Sequence, residues 1–307
     1  AGSRIDIPFA ATGRTITISF DARVTDAVAA NPTAANRTNR ATFYWNVTDG
    51  VDSSRTNTTE ATAVITVQHP RVGLTKKVDT RTANPVNQDA MTLNPDGTFT
   101  YAITVRNTGT GNVGAANRTP AHHVSMQDVV PPGVIVDPAS ISPVPTNLAA
   151  ISAALSSGAG ATIQWQDFGP LYPQADADAT HPNSMLFTYN GSFVGAASLT
   201  AATKTNTASV TEYFSWDPSS EGRRYVPGAG GVPAATDTAS VTPIFPSVVL
   251  AKTVSDRNAE GSIAYAEQPF WWNLRATNDG AGAVLDLSMN DRLPENWSFD
   301  GNAVRSP

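Results

Sequence analysis

Three kinds of polar residue recur in this chain at positions where a strand pattern calls for apolar side chains. Lys76 lies within the run VGLTKKV, Asp128 ends the run VSMQD, and Asn206 begins the run NTASV. Successive side chains of a β-strand point to opposite faces, so each polar residue shares a face with the apolar residues two and four positions away. We therefore predict that Lys76, Asp128 and Asn206 point into an apolar core.

This combination of side chains indicates one particular reaction. Isolated charges in an apolar core are very costly, so such groups must pair, lose their charge or react. Burial makes a lysine less basic and an aspartate more basic. A neutral amine held against an asparagine amide, with a protonated carboxyl to polarise the carbonyl, is arranged for acyl transfer. The product is an isopeptide bond between Nζ of Lys76 and Cγ of Asn206, formed with loss of ammonia.

Two other interpretations of the same residues stay open at the level of sequence. A salt bridge between Lys76 and Asp128, with a hydrogen bond from Asn206, would also satisfy the three groups. Alternatively, a register error of one residue would turn each side chain to the opposite face and separate them. If the bond forms, it closes a loop of roughly 130 residues, which the chain-entropy relation for cross-links values at about 5 kcal/mol.

The segments that carry these residues occur more than once. VVLAKTV contains Lys252 and repeats the lysine run, LSMND ends in Asp291 and repeats the aspartate run, and NRATF begins with Asn39 and repeats the asparagine run. FTYAITVRNTG and FWWNLRATNDG also match, and their Asn107 and Asn278 each precede a glycine by two residues, as is typical of a turn at a strand end. Repeats about 170 residues apart indicate an array of like domains, and such arrays are usually structural.

Aligning the copies predicts the domain organisation. Residues 1–70 match the C-terminal half of a repeat, residues 71–246 form one complete repeat with an insertion near 135–185, and residues 247–307 match the N-terminal half of the next repeat. The junctions between repeats are short and contain proline, which favours stiff head-to-tail stacking. The chain itself is expected to be an internal piece of a longer protein.

Each incomplete repeat carries only part of the polar set. Residues 247–307 contain Lys252 and Asp291 without a matching asparagine. Residues 1–70 contain Asn39 without a matching lysine or aspartate. Their partners are therefore expected outside this chain, either elsewhere in the same longer polypeptide or in a neighbouring subunit.

Composition and local patterns indicate an all-β protein without long helices. Alternating apolar residues predict strands at residues 15–20, 63–67 and 99–105, and the only segment with a helical pattern is residues 148–155. A hydrophobic content of 40% suffices for packed cores, and the absence of cysteine rules out disulfides as their support. A net charge of −6 argues against nucleic acid and anionic membranes as partners, and no apolar run is long enough to span a membrane.

Motifs for catalysis on an external substrate are missing from the sequence. It contains no nucleophile elbow, phosphate loop, zinc-ligand spacing or paired-carboxylate cleft, so we expect no enzyme activity and no cofactor. Residues 176–181 (DADATH) contain metal-ligating residue types but lack the spacing and the closing carboxylate of a calcium loop, so we expect no metal site.

The order of motifs resembles a known family. Leu-x-Lys, then TYAITVRNTG, DVVPPG and TNTASV look like the DUF11 repeat of bacterial and archaeal surface proteins. That resemblance implies an Ig-like fold that occurs in tandem in adhesins, fibres and envelope proteins. The polar trio is similar to that of collagen-adhesin-type domains with internal isopeptide bonds, which implies that Lys76 attacks Asn206 with Asp128 as catalyst. Asp291 takes the equivalent catalytic position in the incomplete repeat.

These observations together predict a mechanical role outside the cell. The chain is expected to be part of the stalk or fibre shaft of a prokaryotic cell-surface adhesin or filament, in contact with neighbouring repeats or identical subunits. One alternative is a self-polymerising extracellular filament subunit, in which the half repeats complete each other between chains. Another is a ligand-binding adhesin module that recognises a host or matrix ligand. All three share one fold, so the fold cannot decide among them.

Overall fold

The structure is a computed structural model of the 307-residue chain, and it describes residues 15, 17–22, 35–45, 57–109, 119–195, 197–220, 222–256 and 270–299. The helix and strands of these residues follow in the order β1 (Ala35–Trp45), β2 (Asn57–Val67), β3 (Val72–Thr80), β4 (Ala90–Leu93), β5 (Thr98–Asn107), β6 (His122–Val130), β7 (Val134–Val136), α1 (Leu148–Ser157), β8 (Ala161–Phe168), β9 (Ser184–Phe193), β10 (Lys204–Phe214), β11 (Arg224–Tyr225), β12 (Thr236–Pro243), β13 (Val248–Asp256) and β14 (Phe270–Asn278). Two 3-10 turns, Pro138–Ser140 and Gln174–Asp176, lie between them.

A β-sandwich occupies the middle of the chain. One sheet has the strand order β3-β5-β9-β7, and the other has the order β4-β12-β10-β6-β8, with β11 paired to β10. Burial alternates along the central strands, so that every second residue of β5 from Phe99 to Val105 is buried. The inward residues of both sheets form one continuous apolar core. This arrangement confirms the all-β fold class.

The helix predicted at residues 148–155 is confirmed as α1. Gly158 ends it in the left-handed conformation (φ 71°), where its N–H bonds to carbonyls of the last turn, and glycine adopts this conformation without steric cost. Leu155 anchors the helix in the core, where it is fully buried. In the predicted insertion near 135–185, β7 and β8 are edge strands of the two sheets, so these residues are part of the sandwich.

The two halves that flank the sandwich form antiparallel hairpins. β1 pairs with β2 over their whole lengths, and β13 pairs with β14. Both predicted asparagine turns are confirmed: Asn107 Oδ1 accepts a hydrogen bond from the N–H of Gly109 at 2.9 Å, and Asn278 Oδ1 accepts one from that of Gly280 at 3.1 Å.

Two strand predictions outside the sandwich are wrong. Residues 15 and 17–20 lie outside any strand, and so do residues 287–291, which contain Asp291. Their alternating pattern is that of strands, but a strand also requires a neighbour to take up its backbone hydrogen bonds. No described segment pairs with either of them. Asn39 is exposed instead of facing inward as its pattern predicts, because residues 37–45 of β1 are exposed on both faces of the hairpin.

Candidate functional site

The two sheets of the sandwich together position the lysine, the aspartate and the asparagine. Lys76 projects from β3 in one sheet, and Asp128 and Asn206 project from the neighbouring strands β6 and β10 in the other. All three side chains are buried at 0% exposure. Ala208 lies directly opposite Asp128, so Asn206, two residues along β10, is its diagonal neighbour on the same face.

A fourth residue, Tyr189, connects the three. Lys76 Nζ donates hydrogen bonds to Asp128 Oδ2 at 2.8 Å and to the Tyr189 hydroxyl at 3.3 Å. That hydroxyl donates in turn to Asp128 Oδ2 at 2.5 Å and accepts from Asn206 Nδ2 at 2.5 Å. The amine of Lys76 and the amide of Asn206 therefore contact the same oxygen atom, and both lie next to the carboxylate.

The surroundings favour an uncharged lysine. Burial lowers the pKa of Lys76, and this effect prevails over the charge and hydrogen bond of Asp128, which act in the opposite direction. Nζ lies 4.6 Å from the centre of the Tyr101 ring and 5.4 Å from that of Tyr189. Burial and the charge of Asp128 raise the pKa of Tyr189, so its hydroxyl keeps its proton. The site thus holds a neutral phenol and a lysine poised to lose its proton.

Two acceptor atoms in the site have no hydrogen-bond donor among the described residues. They are Asp128 Oδ1 and Asn206 Oδ1, and both are inaccessible to solvent. An unsatisfied buried acceptor costs roughly 1–3 kcal/mol. A proton on Asp128 would let its carboxyl donate to the oxygen of Asn206 on the neighbouring strand. The same hydrogen bond would polarise the amide carbonyl toward attack by the lysine.

Sequence reasoning missed Tyr189 and Asp237. Tyr189 lies directly opposite Tyr101 on the neighbouring strand, with ring centres 5.3 Å apart. Asp237 Oδ2 accepts a hydrogen bond from the backbone N–H of Lys76 at 2.8 Å, which ties β3 to β12. The alternation of apolar and polar residues along β9 could have indicated that Tyr189 points inward. The sequence contains no repeat of the β9 segment, however, so Tyr189 did not stand out as the three repeated polar residues did.

The half repeats contain a second, partial cluster. Lys252 Nζ donates to Asp291 Oδ1 at 2.5 Å and lies 4.5 Å from the centre of the Trp272 ring. The side chains of Lys252 and Asp291 are 33% and 29% exposed, whereas those of Lys76 and Asp128 in the sandwich are fully buried. Asn39 lies in the other hairpin, on β1. The structure thus brings Lys252 and Asp291 together and leaves Asn39 at a separate place in the fold.

Two surface histidines have local partners. In residues 176–181, which were considered for metal binding, Asp178 Oδ1 accepts hydrogen bonds from the backbone N–H groups of Thr180 and His181. This carboxylate oxygen therefore stabilises the local turn. His123 has a left-handed backbone (φ 48°), and its ring nitrogens lie 2.5 Å from Asp167 Oδ1 and 3.1 Å from Asp217 Oδ1. The hydrogen bond with Asp167, with a smaller contribution from Asp217, raises the pKa of His123.

No helix in the described residues has the length and apolar character needed to cross a membrane. No protein-family model matches the chain, and no curated protein matches it either. The likeness to the DUF11 repeat therefore stays a prediction from the motifs.

Several solved structures of Gram-positive surface proteins are similar to the chain. BcpA, the major pilin subunit of Bacillus cereus, matches with 11% identity and a TM-score of 0.30, over 80% of this chain and 63% of the pilin. SpaD, the full-length major pilin of Corynebacterium diphtheriae, matches with 10% identity and a TM-score of 0.29, over 81% and 68%. The C-terminal domain of the antigen I/II polypeptide BspA of Streptococcus agalactiae matches with 16% identity and a TM-score of 0.31, over 66% and 60%.

Proposed function

We propose that this chain is a structural region, a stalk or fibre shaft, of a prokaryotic cell-surface adhesin or filament, stabilised by an isopeptide bond between Lys76 and Asn206. The observation that carries the proposal is the buried cluster in which Lys76 and Asn206 contact one hydroxyl beside Asp128. A shaft exposed to force and proteases outside the cell gains from a covalent tie inside each domain.

The reaction uses only groups of this chain. A proton passes from Lys76 Nζ to Asp128, and the amine then attacks Cγ of Asn206 while the carboxyl gives its proton to Oδ1. Asp128, now a carboxylate, and the Tyr189 hydroxyl move one proton from Nζ to Nδ2. The Cγ–Nδ2 bond breaks, ammonia leaves, and the proton on Oδ1 returns to Asp128. One amide bond replaces another, and the carboxyl is regenerated.

Proximity supplies most of the acceleration. Amine and amide are held in a dry core, and well-oriented groups of this kind react at effective molarities of roughly 10⁵–10⁸ M. Tyr189 accepts from both nitrogens, so its hydroxyl lies on the path that the transferred proton takes. Buried at the centre of the sandwich, the cluster is also protected from competing hydrolysis.

The position of the bond explains the mechanical benefit. Lys76 lies on β3, at the start of the sandwich, and Asn206 lies on β10, near its end and in the opposite sheet. A pull on the two ends of the domain would pass through the bond and bypass the strands between them. Closing this loop of roughly 130 residues also restricts the unfolded chain, by about 5 kcal/mol on the chain-entropy relation.

An unreacted ion pair is the competing account of the same geometry. A buried Lys76–Asp128 pair would leave one acceptor of Asp128 unsatisfied, and the desolvation cost of such pairs often equals their attraction. Bond formation removes the charge of the lysine and leaves Asp128 as a neutral carboxyl. It therefore avoids both the desolvation cost of the ion pair and the unsatisfied acceptor of Asp128.

Intact mass of the full chain, taken on monomers separated under denaturing conditions, tests the proposal. We expect the parent to be about 17 Da lighter than its sequence, because one ammonia is lost on bond formation. Asn206→Ala should restore the full mass expected for its sequence, whereas Asn190→Ala, a change on β9 in the opposite sheet, should keep the deficit. A full mass in folded parent protein would overturn the bond and leave an ion pair.

A further inference from the structure

Asp237 contacts the lysine of the site at its backbone and takes no part in the bond itself. We propose that Asp237 is a positioning residue, which fixes Lys76 over the opposite sheet and makes its bond to Asn206 depend on the docking of β12, the last strand of the sandwich. The inference rests on the proposed function, because it concerns what controls the bond proposed there.

Two carboxylates hold Lys76 at its two ends. Its backbone N–H donates to Asp237 Oδ2 at 2.8 Å, and its Nζ donates to Asp128 Oδ2 at 2.8 Å. Nζ lies at the end of a flexible four-carbon stem, so a contact there alone would leave the strand free to shift. The contact with Asp237 fixes the backbone from which this stem extends.

The two carboxylates lie in one row of the sheet opposite to β3. Asp237 lies opposite Ala208 on β10, and Ala208 lies opposite Asp128 on β6. Directly opposite residues of neighbouring strands share a face, so the carboxylates flank Ala208, which is fully buried. β12 and β6 are two strand spacings apart, roughly 9–10 Å. The lysine therefore spans this row, with its backbone at one end and its amine at the other.

The backbone contact satisfies a free strand edge. Among the described strands β3 has one hydrogen-bonded neighbour, β5. On its other edge the N–H of Val78 donates to the carbonyl of Gln88 at 2.7 Å. Backbone N–H groups alternate between the two edges of a strand, so that of Lys76 points to the same edge, where Asp237 is its acceptor. Packing between sheets is non-directional, whereas this hydrogen bond is directional and sets the place of Lys76 along β12.

β12 relates the lysine to the amide that it attacks. Asn206 lies opposite Ala239 on β12, and Asp237 precedes Ala239 by two residues on the same strand. The strand is thus paired to the backbone of the amide and hydrogen-bonded to the backbone of the amine. Since a misplacement of about 1 Å can slow a reaction about 100-fold, such a link between the two sheets controls the rate.

The order of the strands gives this link a consequence for folding. Lys76, Asp128 and Asn206 lie on β3, β6 and β10, so all the reacting groups precede β12 in the chain. Asp237 reaches Lys76 only after β12 has paired with β10. The bond therefore forms fast only in a completed sandwich, and a partly folded chain is not locked covalently in the wrong arrangement.

The charge of Asp237 and its hydrogen bond act on the reaction in opposite directions. Burial lowers the pKa of Lys76, and the charge of Asp237 opposes this, although less than that of Asp128 does. The charge thus favours the ammonium form, which cannot attack. Loss of the charge should speed the reaction, whereas loss of the hydrogen bond should slow it, so two substitutions separate the two effects.

The rate of ammonia loss during refolding tests the proposal. The full chain is isolated unfolded and unreacted from inclusion bodies, its folding is followed by tryptophan fluorescence, and its bond is followed by intact mass. We expect folded Asp237→Ala to react about 10- to 100-fold more slowly than the parent. Asp237→Asn keeps an acceptor oxygen for Lys76 and should react at least as fast as the parent. Asp237→Ser, whose side chain is too short to reach Lys76, replaces Asp237→Ala if that variant does not fold.

A matched control removes a similar hydrogen bond from the same strand. Asp79 Oδ1 accepts from the backbone N–H of Thr80 at 2.8 Å. Asp79→Ala should destabilise β3 and leave the rate of bond formation in folded chains unchanged. Hydrogen exchange in the unreactive Asn206→Ala chain checks the contact itself: the amide of Lys76 should exchange slowly there and fast once Asp237→Ala is added.

Three results would overturn the inference. The first is a parental rate of bond formation in folded Asp237→Ala, since the residue would then serve stability alone. The second is an Asp237→Asn chain as slow as Asp237→Ala, because the charge would then be what matters. The third is a folded parent that keeps its full mass, which overturns the proposed function as well. The first two occur with a parent that reacts, so the two failures are distinguishable.

Discussion

Stretching the single chain from its two ends measures the mechanical consequence of the Lys76–Asn206 bond directly. The perturbation is Asn206→Ala, which removes the amide and leaves the Lys76–Asp128 contact in place. A fully extended residue spans about 3.3–3.6 Å, so the closed loop of roughly 130 residues keeps about 430–470 Å of chain from extending. When force unfolds the domain, the contour length of the variant should therefore increase by about this much more than that of the parent.

Single-molecule force spectroscopy gives the assay, and the difference in released length between parent and variant is the measured quantity. The hairpins β1–β2 and β13–β14 contribute equally to both chains and cancel in the difference. Asn190→Ala serves as the control and should behave as the parent does. In solution, Asn206→Ala should also lower the free energy of unfolding by about 5 kcal/mol, measured by urea denaturation. Equal released lengths in parent and variant would refute the reasoning, because an ion pair breaks under load and hides no chain.

Three further predictions concern single side chains. Tyr189→Phe should slow formation of the bond about 100-fold or more, followed by mass after refolding, because its hydroxyl relays the proton; an unchanged rate would remove it from the reaction. Gly191→Ala should cost about 1–3 kcal/mol in urea denaturation, because its Cβ would lie 2.5 Å from Cε2 of the Phe99 ring, whereas Gly195→Ala meets nothing within 4 Å and should be nearly neutral. The raised pKa of His123 adds stability that is complete below pH 6.5 and is lost as the pH rises through the folded-state pKa. His123→Gln should remove this pH dependence, worth at most about 1 kcal/mol at an exposed site, and an unaltered stability profile would contradict it.

The residues of the candidate site differ in how far sequence could locate them. Lys76, Asp128 and Asn206 stood out because each interrupts an apolar face and because each has a counterpart in a second copy. Tyr189 was not found, although it contacts all three, because a tyrosine on an inward face looks like ordinary core. Asp237 was not found either, because its partner is a backbone N–H, and nothing in a sequence specifies which backbone group a side chain meets.

Sequence by itself determined the all-β class, the helix at α1 and the polar residues that face the core. These features depend on alternation, capping and repetition, which act within a few residues along the chain and can be read locally. Only the tertiary structure decided that Tyr189 lies between Lys76 and Asn206, since a contact between two sheets depends on how their strands are paired. It also decided that residues 287–291 do not form a strand. Their pattern suits one, but a strand exists only where a neighbour takes up its backbone hydrogen bonds, and that neighbour is set by the fold or by another chain.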